Sequence, residues 1–382
     1  MKAIINGIIL TPHEEIRGMA LLFDTVFRGI VPLGHVKAEE VIDAKGRYIA
    51  PGLIDVHIHG YLGKDISDGS EEGARIMAEG VLANGVTSFL PTTMTVSWSE
   101  IEASFDVVRR LMPQSREPEF LGAQILGCHA EGPFINPQRK GAQSQKHIIP
   151  PRADLILPHS DVVRLITVAP EMEGGLEFIR ELTSKSGITV SIGHSNADYD
   201  LAKKAIEAGA SHITHLFNAQ TGLNHRKPGI VGAALTSPVF TELIADTFHV
   251  HDGLFSLLYN VKRDLLVLVT DCTRAGGLPD GEYTLGGQPI FVNGIECRLQ
   301  DGTIAGSVLR LNDAARNLHR LGKVPLRDAI HAASLSAART LGMDREKGSI
   351  EEGKDADIIF IDDECRVYAA FVRGTLKYSK EN

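Results

Sequence analysis

Short apolar runs alternate with helical stretches through the middle of this chain. The runs are rich in β-branched residues and apolar on both faces, which is typical of strands buried between a core and covering helices. The eight candidate strands are residues 53–59, 86–91, 124–129, 163–169, 188–194, 213–218, 243–245 and 265–271. Helical periodicity is found at residues 71–83, 101–111, 176–185, 201–207 and 252–261. Successive strand–helix units of this kind predict an α/β fold, namely a (β/α)8 TIM-type barrel.

The two ends of the chain have a different pattern. Before about residue 47 and after about residue 356, short β-type runs are separated by Gly and Pro. This pattern predicts a small β-sandwich domain formed by both termini, from residues 1–50 plus 342–382. The barrel domain then covers residues 51–341. Its last part is expected to contain a β-hairpin at 283–299 and two helices at 312–321 and 326–341.

Reactive side chains collect where the predicted strands end. They follow the first, third, fifth, sixth and eighth strands, at positions His57, His59, Glu131, His194, His215 and Asp271. Because the carboxyl ends of barrel strands face one mouth, where such barrels carry their active sites, we expect these side chains to converge. A single strand histidine or strand-end Asp is more often structural, but five strand ends with ligand-type residues predict a metal site.

Three of these residues form a metal-ligand set. Glu131, His194 and His215 offer two nitrogens and one carboxylate with an open fourth position, which is the pattern of a hydrolytic metal site. Such an ion lowers the pKa of bound water towards about 7 and polarises a substrate carbonyl. Asp271 is then the nearby base that takes the proton of the water and returns it to the leaving group. His57 and His59 share a strand face and predict either a second ion or a polar cluster without one.

Composition and charge exclude several classes of protein. Of 382 residues, 43% are hydrophobic and 23% are charged, which is the balance of a globular protein rather than of a disordered chain. The net charge of −9 and the lack of a long basic run argue against nucleic-acid binding. The four cysteines lack C-x-x-C spacing, which favours a reduced, cytoplasmic compartment. Neither a signal-peptide pattern nor an apolar stretch of the roughly 18 to 20 residues that a membrane span needs is found.

Seven strings of the sequence carry a resemblance to a known family. In chain order they are PGLIDVHIHG (51–60), HAEGPFINPQRKGA (129–142), GHSNAD (193–198), THLFNAQTGLNHRKPG (214–229), LIADTFHV (243–250), VTDCTRAGG (269–277) and GTIAGS (302–307). With these strings the chain resembles the amidohydrolase superfamily and, within it, the N-acetylglucosamine-6-phosphate deacetylases. The resemblance implies a metal-dependent enzyme that converts N-acetylglucosamine 6-phosphate to glucosamine 6-phosphate and acetate. It also implies a homodimer whose interface supplies a phosphate contact.

The resemblance assigns the same metal chemistry to the same residues. Glu131, His194 and His215 match the metal ligands of the family, and Asp271 matches its general acid/base. Some members keep the first-strand histidine pair and hold a second ion, so His57 and His59 allow one or two ions per subunit. Zinc is the first candidate for the metal and iron the second, since these ligand types suit several divalent ions.

The resemblance further implies a set of substrate contacts. Asn218 and Ala219 match positions that bind the sugar phosphate, and Arg226 matches an arginine that binds phosphate with its planar fork. His249 matches a histidine that contacts the acetamido group and helps to polarise its carbonyl. The full set of implied substrate-binding residues is Ala142, Gln143, Asn218, Ala219, Arg226, His249, Ile304, Ala305 and Gly306.

The chain departs from the family pattern at three places. Gln143 stands where His is common, and Gln220-Thr221 stand where Met is usual. Thr247-Phe248 replace a Gly-containing pair, which is expected to narrow or reshape the pocket. These departures leave the metal ligands intact but leave the identity of the sugar open. An N-acetylgalactosamine-6-phosphate deacetylase, another amidohydrolase of acylated amino sugars, a cyclic amidase and a non-catalytic barrel are the alternatives.

Overall fold

The β-type runs of the N-terminal segment form seven short strands. In this computed structural model, which describes residues 1–380, they are β1 (Lys2–Ile5), β2 (Ile8–Leu10), β3 (Glu15–Arg17), β4 (Met19–Phe23), β5 (Phe27–Pro32), β6 (Glu40–Asp43) and β7 (Tyr48–Pro51). One sheet has the order β5, β4, β1, β6, and the strands β7, β2 and β3 belong to a second sheet.

The barrel follows as a series of strands and helices. Its elements are β8 (Leu53–Ile58), β9 (Gly60–Tyr61), β10 (Lys64–Asp65), α1 (Glu71–Val81), β11 (Val86–Thr93), α2 (Trp98–Gln114), β12 (Gln124–Ile125), β13 (Cys128–Glu131), α3 (Ala153–Ile156), β14 (Val163–Val168), α4 (Gly175–Lys185), β15 (Thr189–Ile192), α5 (Tyr199–Glu207), β16 (His212–Ile213), α6 (Gly229–Leu235), β17 (Phe240–Leu243), α7 (Phe255–Lys262) and β18 (Leu266–Leu268). The strands β8, β11, β13, β14, β15, β16, β17 and β18 are parallel neighbours in this order. A parallel bridge between Ile58 and Cys272 brings the end of the eighth strand back to the first. The predicted (β/α)8 barrel is therefore confirmed.

Two barrel strands differ from their predicted ranges. The sixth is only β16 instead of residues 213–218, because the chain turns sharply beyond it. His215 and Phe217 have φ angles of +28° and +79°, which a strand does not accommodate. The seventh is β17 instead of residues 243–245, because its pairing with the short β16 begins at Phe240.

The rest of the chain returns from the barrel to the first domain. Its elements are β19 (Gly281–Leu285), β20 (Gln288–Asn293), β21 (Glu296–Leu299), α8 (Leu311–Arg320), α9 (Leu326–Ala332), α10 (Leu335–Thr340), β22 (Ile358–Ile361), β23 (Val367–Val372) and β24 (Thr375–Ser379). The predicted hairpin is a three-stranded antiparallel sheet of β19, β20 and β21. The predicted helix at 326–341 is divided into α9 and α10, because Ser334 leaves the helical region with a φ of −139°. Within residues 1–380, no helix combines the length and the hydrophobicity that crossing a membrane requires.

The two terminal segments together form the predicted β-sandwich. The second sheet has the order β24, β23, β22, β7, β2, β3, so it contains strands from both ends of the chain. Side chains of both sheets share one core, in which the rings of Phe23 and Phe371 meet edge to face at 6.0 Å. The boundaries at residues 1–50, 51–341 and 342–382 stay a prediction, and residues 381 and 382 lie outside the described part of the chain.

A fully buried lysine joins the segment after α10 to the sandwich. Lys347 Nζ lies 2.9 Å from Asp355 Oδ2 and 2.6 Å from Asp357 Oδ2. Arg373 Nε adds a contact of 3.3 Å to Asp355 Oδ1. Because taking these charges out of water is costly, the arrangement is stable only while the ammonium and both carboxylates remain together.

Replacing Lys347 with Met is expected to lower the free energy of unfolding by about 3–5 kcal/mol, because two buried carboxylates lose their shared cation. Chemical denaturation of the purified protein measures the change. Lys185→Met is the matched control, since its ammonium pairs with Glu181 at the surface of α4 and exposed ion pairs contribute only about 0–1 kcal/mol. Equal losses in the two variants would contradict a special role for the buried cluster.

Candidate active site

The residues predicted to carry the chemistry lie together at the carboxyl ends of the barrel strands. These residues are all buried and lie at or just beyond the ends of β8, β13, β15, β16 and β18. They are His57, His59, Glu131, His194, His215 and Asp271. His194, His215 and Asp271 adopt φ angles of +48°, +28° and +50°, respectively. Such left-handed backbone is uncommon outside Gly and persists where surrounding contacts maintain it. Here the peptide N–H of His215 donates to Glu242 at 2.8 Å, and the carbonyl of His194 accepts from the N–H of Asn136 at 2.9 Å.

One group of ligand atoms surrounds a single carboxylate oxygen. Glu131 Oε1 lies 3.1 Å from His194 Nε2 and 3.0 Å from His215 Nε2. The two imidazole nitrogens are 3.1 Å apart. Three ligand atoms this close together can share one metal ion, as the sequence predicted for these residues.

A second group lies beside the first. His59 Nε2 is 3.1 Å from Asp271 Oδ1 and 3.3 Å from Glu131 Oε2, and His57 Nε2 is 3.3 Å from Glu131 Oε1. His57, His59 and Asp271 therefore also bring three ligand atoms to one point. Glu131 stands between the two groups, and its two oxygens reach all four imidazoles.

The hydrogen bonds on the far side of the rings fix which nitrogen carries the proton. His59 Nδ1 lies 3.0 Å from the carbonyl oxygen of Thr92, and His194 Nδ1 lies 2.8 Å from that of Arg139. A carbonyl oxygen only accepts, so each Nδ1 is an N–H and each neutral ring directs the lone pair of Nε2 at Glu131. Lone pairs and carboxylate oxygens at this spacing repel one another unless positive charge lies among them. The donor set thus fits a divalent cation, which histidines tethered through Nδ1 are suited to bind.

The pKa shifts in the site also show that its buried carboxylates depend on nearby positive charge. Burial opposes a charge on His59, yet the hydrogen bonds and charges of Asp271 and Glu131 raise its pKa to about 10. Burial would raise the pKa of Glu131, but the neighbouring His57 and His194 hold it well below its ordinary value. The pKa of Asp271 is likewise lowered by His57 and His59 against the effect of burial. Without a metal, protonated imidazoles therefore supply the positive charge that keeps these buried carboxylates anionic. A divalent cation would take over that role and leave the rings neutral.

A cavity of about 380 Å³ opens onto these groups. Of the predicted substrate-binding residues, the ones that line it are Ala142, Gln143, Asn218, Ala219, His249, Ile304 and Gly306. All of the candidate metal ligands except His57 also line it, and the β19–β21 sheet contributes Leu285.

Two of the predicted substrate-binding residues lie elsewhere. Ala305 is fully buried in the small core beneath the β19–β21 sheet, so its side chain does not line the cavity. Arg226 lies on an exposed loop and lines a separate cavity with Tyr199 and Lys227. Within one chain, the structure therefore does not bring the guanidinium of Arg226 to the main cavity.

Gln143 reaches the carboxylate that the two candidate groups share. Its Nε2 donates to Glu131 Oε2 at 2.5 Å, and its Oε1 accepts from the N–H of Thr95 at 2.7 Å. The amide is thus held at both ends while the residue also lines the cavity. Gln143 therefore stabilises the orientation of Glu131. This role is additional to the substrate contact that the sequence predicted for it.

His249 is held against the cavity wall by Asp246. Its Nδ1 lies 2.6 Å from Asp246 Oδ2, while Asp246 Oδ1 accepts the N–H groups of Phe248 and His249. This leaves Nε2 as the ring nitrogen available to a molecule in the cavity. Thr247 has a φ of +70°, and neither it nor Phe248 lines the cavity. Phe248 lies instead against the guanidinium of Arg298 at 4.8 Å and edge to face with the ring of His249 at 5.6 Å. That the pair narrows or reshapes the pocket stays a prediction.

The site also contains residues that sequence reasoning did not single out. Among the cavity residues these are Met94, Gln138, Arg139, Gly141, Phe217, Leu285 and Thr303. Gln138 and Arg139 belong to the string HAEGPFINPQRKGA, which was the available signal for them. Glu242 was missed as well, although a lone carboxylate in the buried strand β17 is itself a signal.

A comparison of the sequence with known protein families agrees with this geometry. The sequence pattern that describes the amidohydrolase family matches residues 48–377. The chain belongs to the amidohydrolase family. The match covers the whole barrel and most of the sandwich strands contributed by the C-terminal segment.

Relatives of known activity narrow the comparison for this amidohydrolase. It is 40% identical over 340 residues to the N-acetylglucosamine-6-phosphate deacetylase of Bacillus subtilis (strain 168), with 87% of this chain and 85% of the relative covered. It is 37% identical over 341 residues to the N-acetylgalactosamine-6-phosphate deacetylase of Escherichia coli O157:H7, with 88% and 89% covered. The crystal structure of N-acetylglucosamine-6-phosphate deacetylase from Pasteurella multocida superposes with a TM-score of 0.94 at 32% identity, covering 99% of this chain and 100% of that one.

Proposed function

We propose that this amidohydrolase hydrolyses the acetamide of N-acetylglucosamine 6-phosphate to acetate and glucosamine 6-phosphate. The observation that carries the proposal is the convergence of four imidazoles and two carboxylates, of which all but His57 line a cavity large enough for a sugar. Its similarity over most of the chain to deacetylases with this named activity supports the choice of substrate.

The two groups of ligand-type residues described above are the proposed metal ligands. Glu131, His194 and His215 would hold one divalent ion, and the group of His57, His59 and Asp271 would hold a second. Nitrogen and carboxylate ligands suit zinc, our first choice, and iron. When bound, such an ion lowers the pKa of water and polarises a carbonyl group.

The chain's own residues then move the protons. Asp271 takes the proton of the attacking water at a carboxylate oxygen and delivers it to the departing nitrogen, so that the C–N bond breaks and an amine leaves. His249, oriented by the contact of its Nδ1 with Asp246, directs Nε2 at the carbonyl oxygen on which negative charge develops. Asn218 and Ala219, which line the cavity, position the sugar phosphate.

The location of Arg226 favours a homodimer as the active form. Its loop is exposed and separate from the main cavity, so a phosphate contact from Arg226 requires the loop of a second copy. Light scattering in solution is expected to give twice the mass of one chain. A cytoplasmic location is also part of the proposal, because a charged sugar phosphate is made and retained inside the cell.

Acetate release from a panel of sugars tests the assignment. N-Acetylglucosamine 6-phosphate is expected to give a kcat/KM about 100-fold above that of unphosphorylated N-acetylglucosamine, since hydrogen bonds to a charged group contribute roughly 1.5–3 kcal/mol each. N-Acetylgalactosamine 6-phosphate is the matched comparison, because it differs only in the orientation of one hydroxyl. Equal turnover without the phosphate would refute the proposal, and faster turnover of the galacto sugar would reassign the substrate.

A further inference from the structure

The buried carboxylate of Glu242 contacts both candidate metal groups. Glu242 is on β17, its side chain is fully buried, and it points into the interior of the barrel. Its Oε2 accepts from the peptide N–H of His215 at 2.8 Å and lies 2.9 Å from His57 Nδ1. One oxygen atom therefore contacts a member of each group.

These contacts determine the tautomer of His57. A peptide N–H can only donate, so Glu242 Oε2 is an acceptor in its contact with His215. The same oxygen then accepts from His57 Nδ1, which must carry a hydrogen. A neutral His57 consequently has its lone pair on Nε2, the atom that lies 3.3 Å from Glu131 and 3.6 Å from Asp271. Within residues 1–380, His57 Nε2 has no hydrogen-bond partner of its own, as expected of an atom available to a cation.

Glu242 differs in charge from the acceptors behind the other rings. The Nδ1 atoms of His59 and His194 are held by neutral backbone carbonyls of Thr92 and Arg139. His57 is held by a carboxylate, and a charged acceptor strengthens the hydrogen bond and makes the opposite nitrogen a better ligand. The contact with His215 has a second effect, because it maintains the left-handed turn that presents this imidazole to Glu131.

We propose that Glu242 is a positioning residue that orients His57 and the turn at His215, and thereby allows two metal ions to be bound at once. The proposal rests on the metal site of the proposed function. Glu242 does not line the cavity, and it acts on the two candidate groups through its contacts with His57 and His215.

Zinc binding by variants of the full chain tests this role. Metal-free protein is titrated with Zn²⁺ alone in competition with a chromophoric chelator, which gives both stoichiometry and affinity without any turnover. Wild type is expected to bind two ions. Because removing the partner of a metal-binding histidine typically weakens affinity about 10- to 100-fold, Glu242→Leu should weaken the second ion about 100-fold. Glu242→Gln keeps an acceptor oxygen without the charge, so its second ion should be weakened only about 10-fold.

His212→Gln is the matched control for disturbance of the barrel interior. His212 is fully buried and its Nε2 lies 3.8 Å from Glu242 Oε1, but it belongs to neither of the two candidate groups. The His212→Gln variant is expected to bind two ions with wild-type affinity. Thermal unfolding of each metal-free variant establishes that it is folded, and Glu242→Gln provides the comparison if Glu242→Leu does not fold.

The outcomes separate this inference from the proposed function. Two ions bound with unchanged affinity in both Glu242 variants would overturn it. An equal loss of zinc affinity in the His212→Gln variant would also overturn it. The same holds if Glu242→Gln binds the second zinc ion no more tightly than Glu242→Leu. A wild type that binds one ion and still releases acetate from the phosphosugar overturns the inference but leaves the proposed function in place, whereas failure to release acetate refutes the function itself.

Discussion

Replacing Asp271 with Asn lowers kcat for acetate release by an expected 1,000- to 10,000-fold, the upper part of the range of about 10²–10⁴ for a positioned acid or base. Asp271 lines the cavity, and its Oδ1 lies 3.1 Å from His59 Nε2. An amide fills the same volume but cannot take the proton of water or return one to the amine. Steady-state rates with N-acetylglucosamine 6-phosphate measure the loss, which should appear in kcat more than in KM.

Metal analysis of the same variant separates proton transfer from ligation. Asp271 belongs to the group with His57 and His59, so Asp271→Asn can lose the ion of that group. The ion held by Glu131, His194 and His215 should remain, because Asp271 is not part of their group. Asp68→Asn is the control, since this carboxylate pairs with Arg274 outside the main cavity and should retain near-normal turnover. A kcat within tenfold of wild type for Asp271→Asn would eliminate its acid/base role.

The convergence of the site was predictable because it follows from topology. Parallel strands of a barrel have their carboxyl ends at one mouth, so ligand-type residues after five strands must meet whatever the details of packing. The exact ends of β16 and β17 were not predictable in the same way. The turn at His215 has a positive φ that its own sequence does not favour, and it depends on the hydrogen bond that its peptide N–H donates to Glu242 on the next strand. Contacts between strands of this kind leave no mark in local periodicity.

The placement of individual side chains was the least predictable part. Ala305 and Arg226 both lie in strings that match the family, yet one is buried under a sheet and the other lies on an exposed loop. A string gives the order of residues along the chain, while the direction of each side chain depends on the neighbours against which it packs. Gln143 illustrates the same point, since only the structure places its amide between Glu131 and Thr95.

Glu131→Gln is expected to reduce kcat/KM at least about 10,000-fold, the largest loss anticipated for any single substitution here. A bound divalent ion contributes several kcal/mol to the transition state, and each 1.36 kcal/mol is about a factor of ten in rate. Glu131 lies within 3.3 Å of all four imidazoles, so neutralising it removes the anionic ligand shared by both candidate groups. Elemental analysis should show loss of metal in parallel with loss of activity.

The matched control for Glu131→Gln is Glu171→Gln at the same mouth of the barrel. Glu171 accepts from Ser195 Oγ at 2.6 Å and from Asn136 Nδ2 at 2.8 Å, so it also supports the loops around the site, but it does not line the cavity. Its neutralisation should cost less than tenfold in kcat/KM and leave the metal content unchanged. Chelation of wild type should reproduce the inactivity of Glu131→Gln, and Zn²⁺ should restore wild type but not the variant. If chelated wild type keeps its full rate, turnover does not use a metal, and the proposed mechanism is refuted.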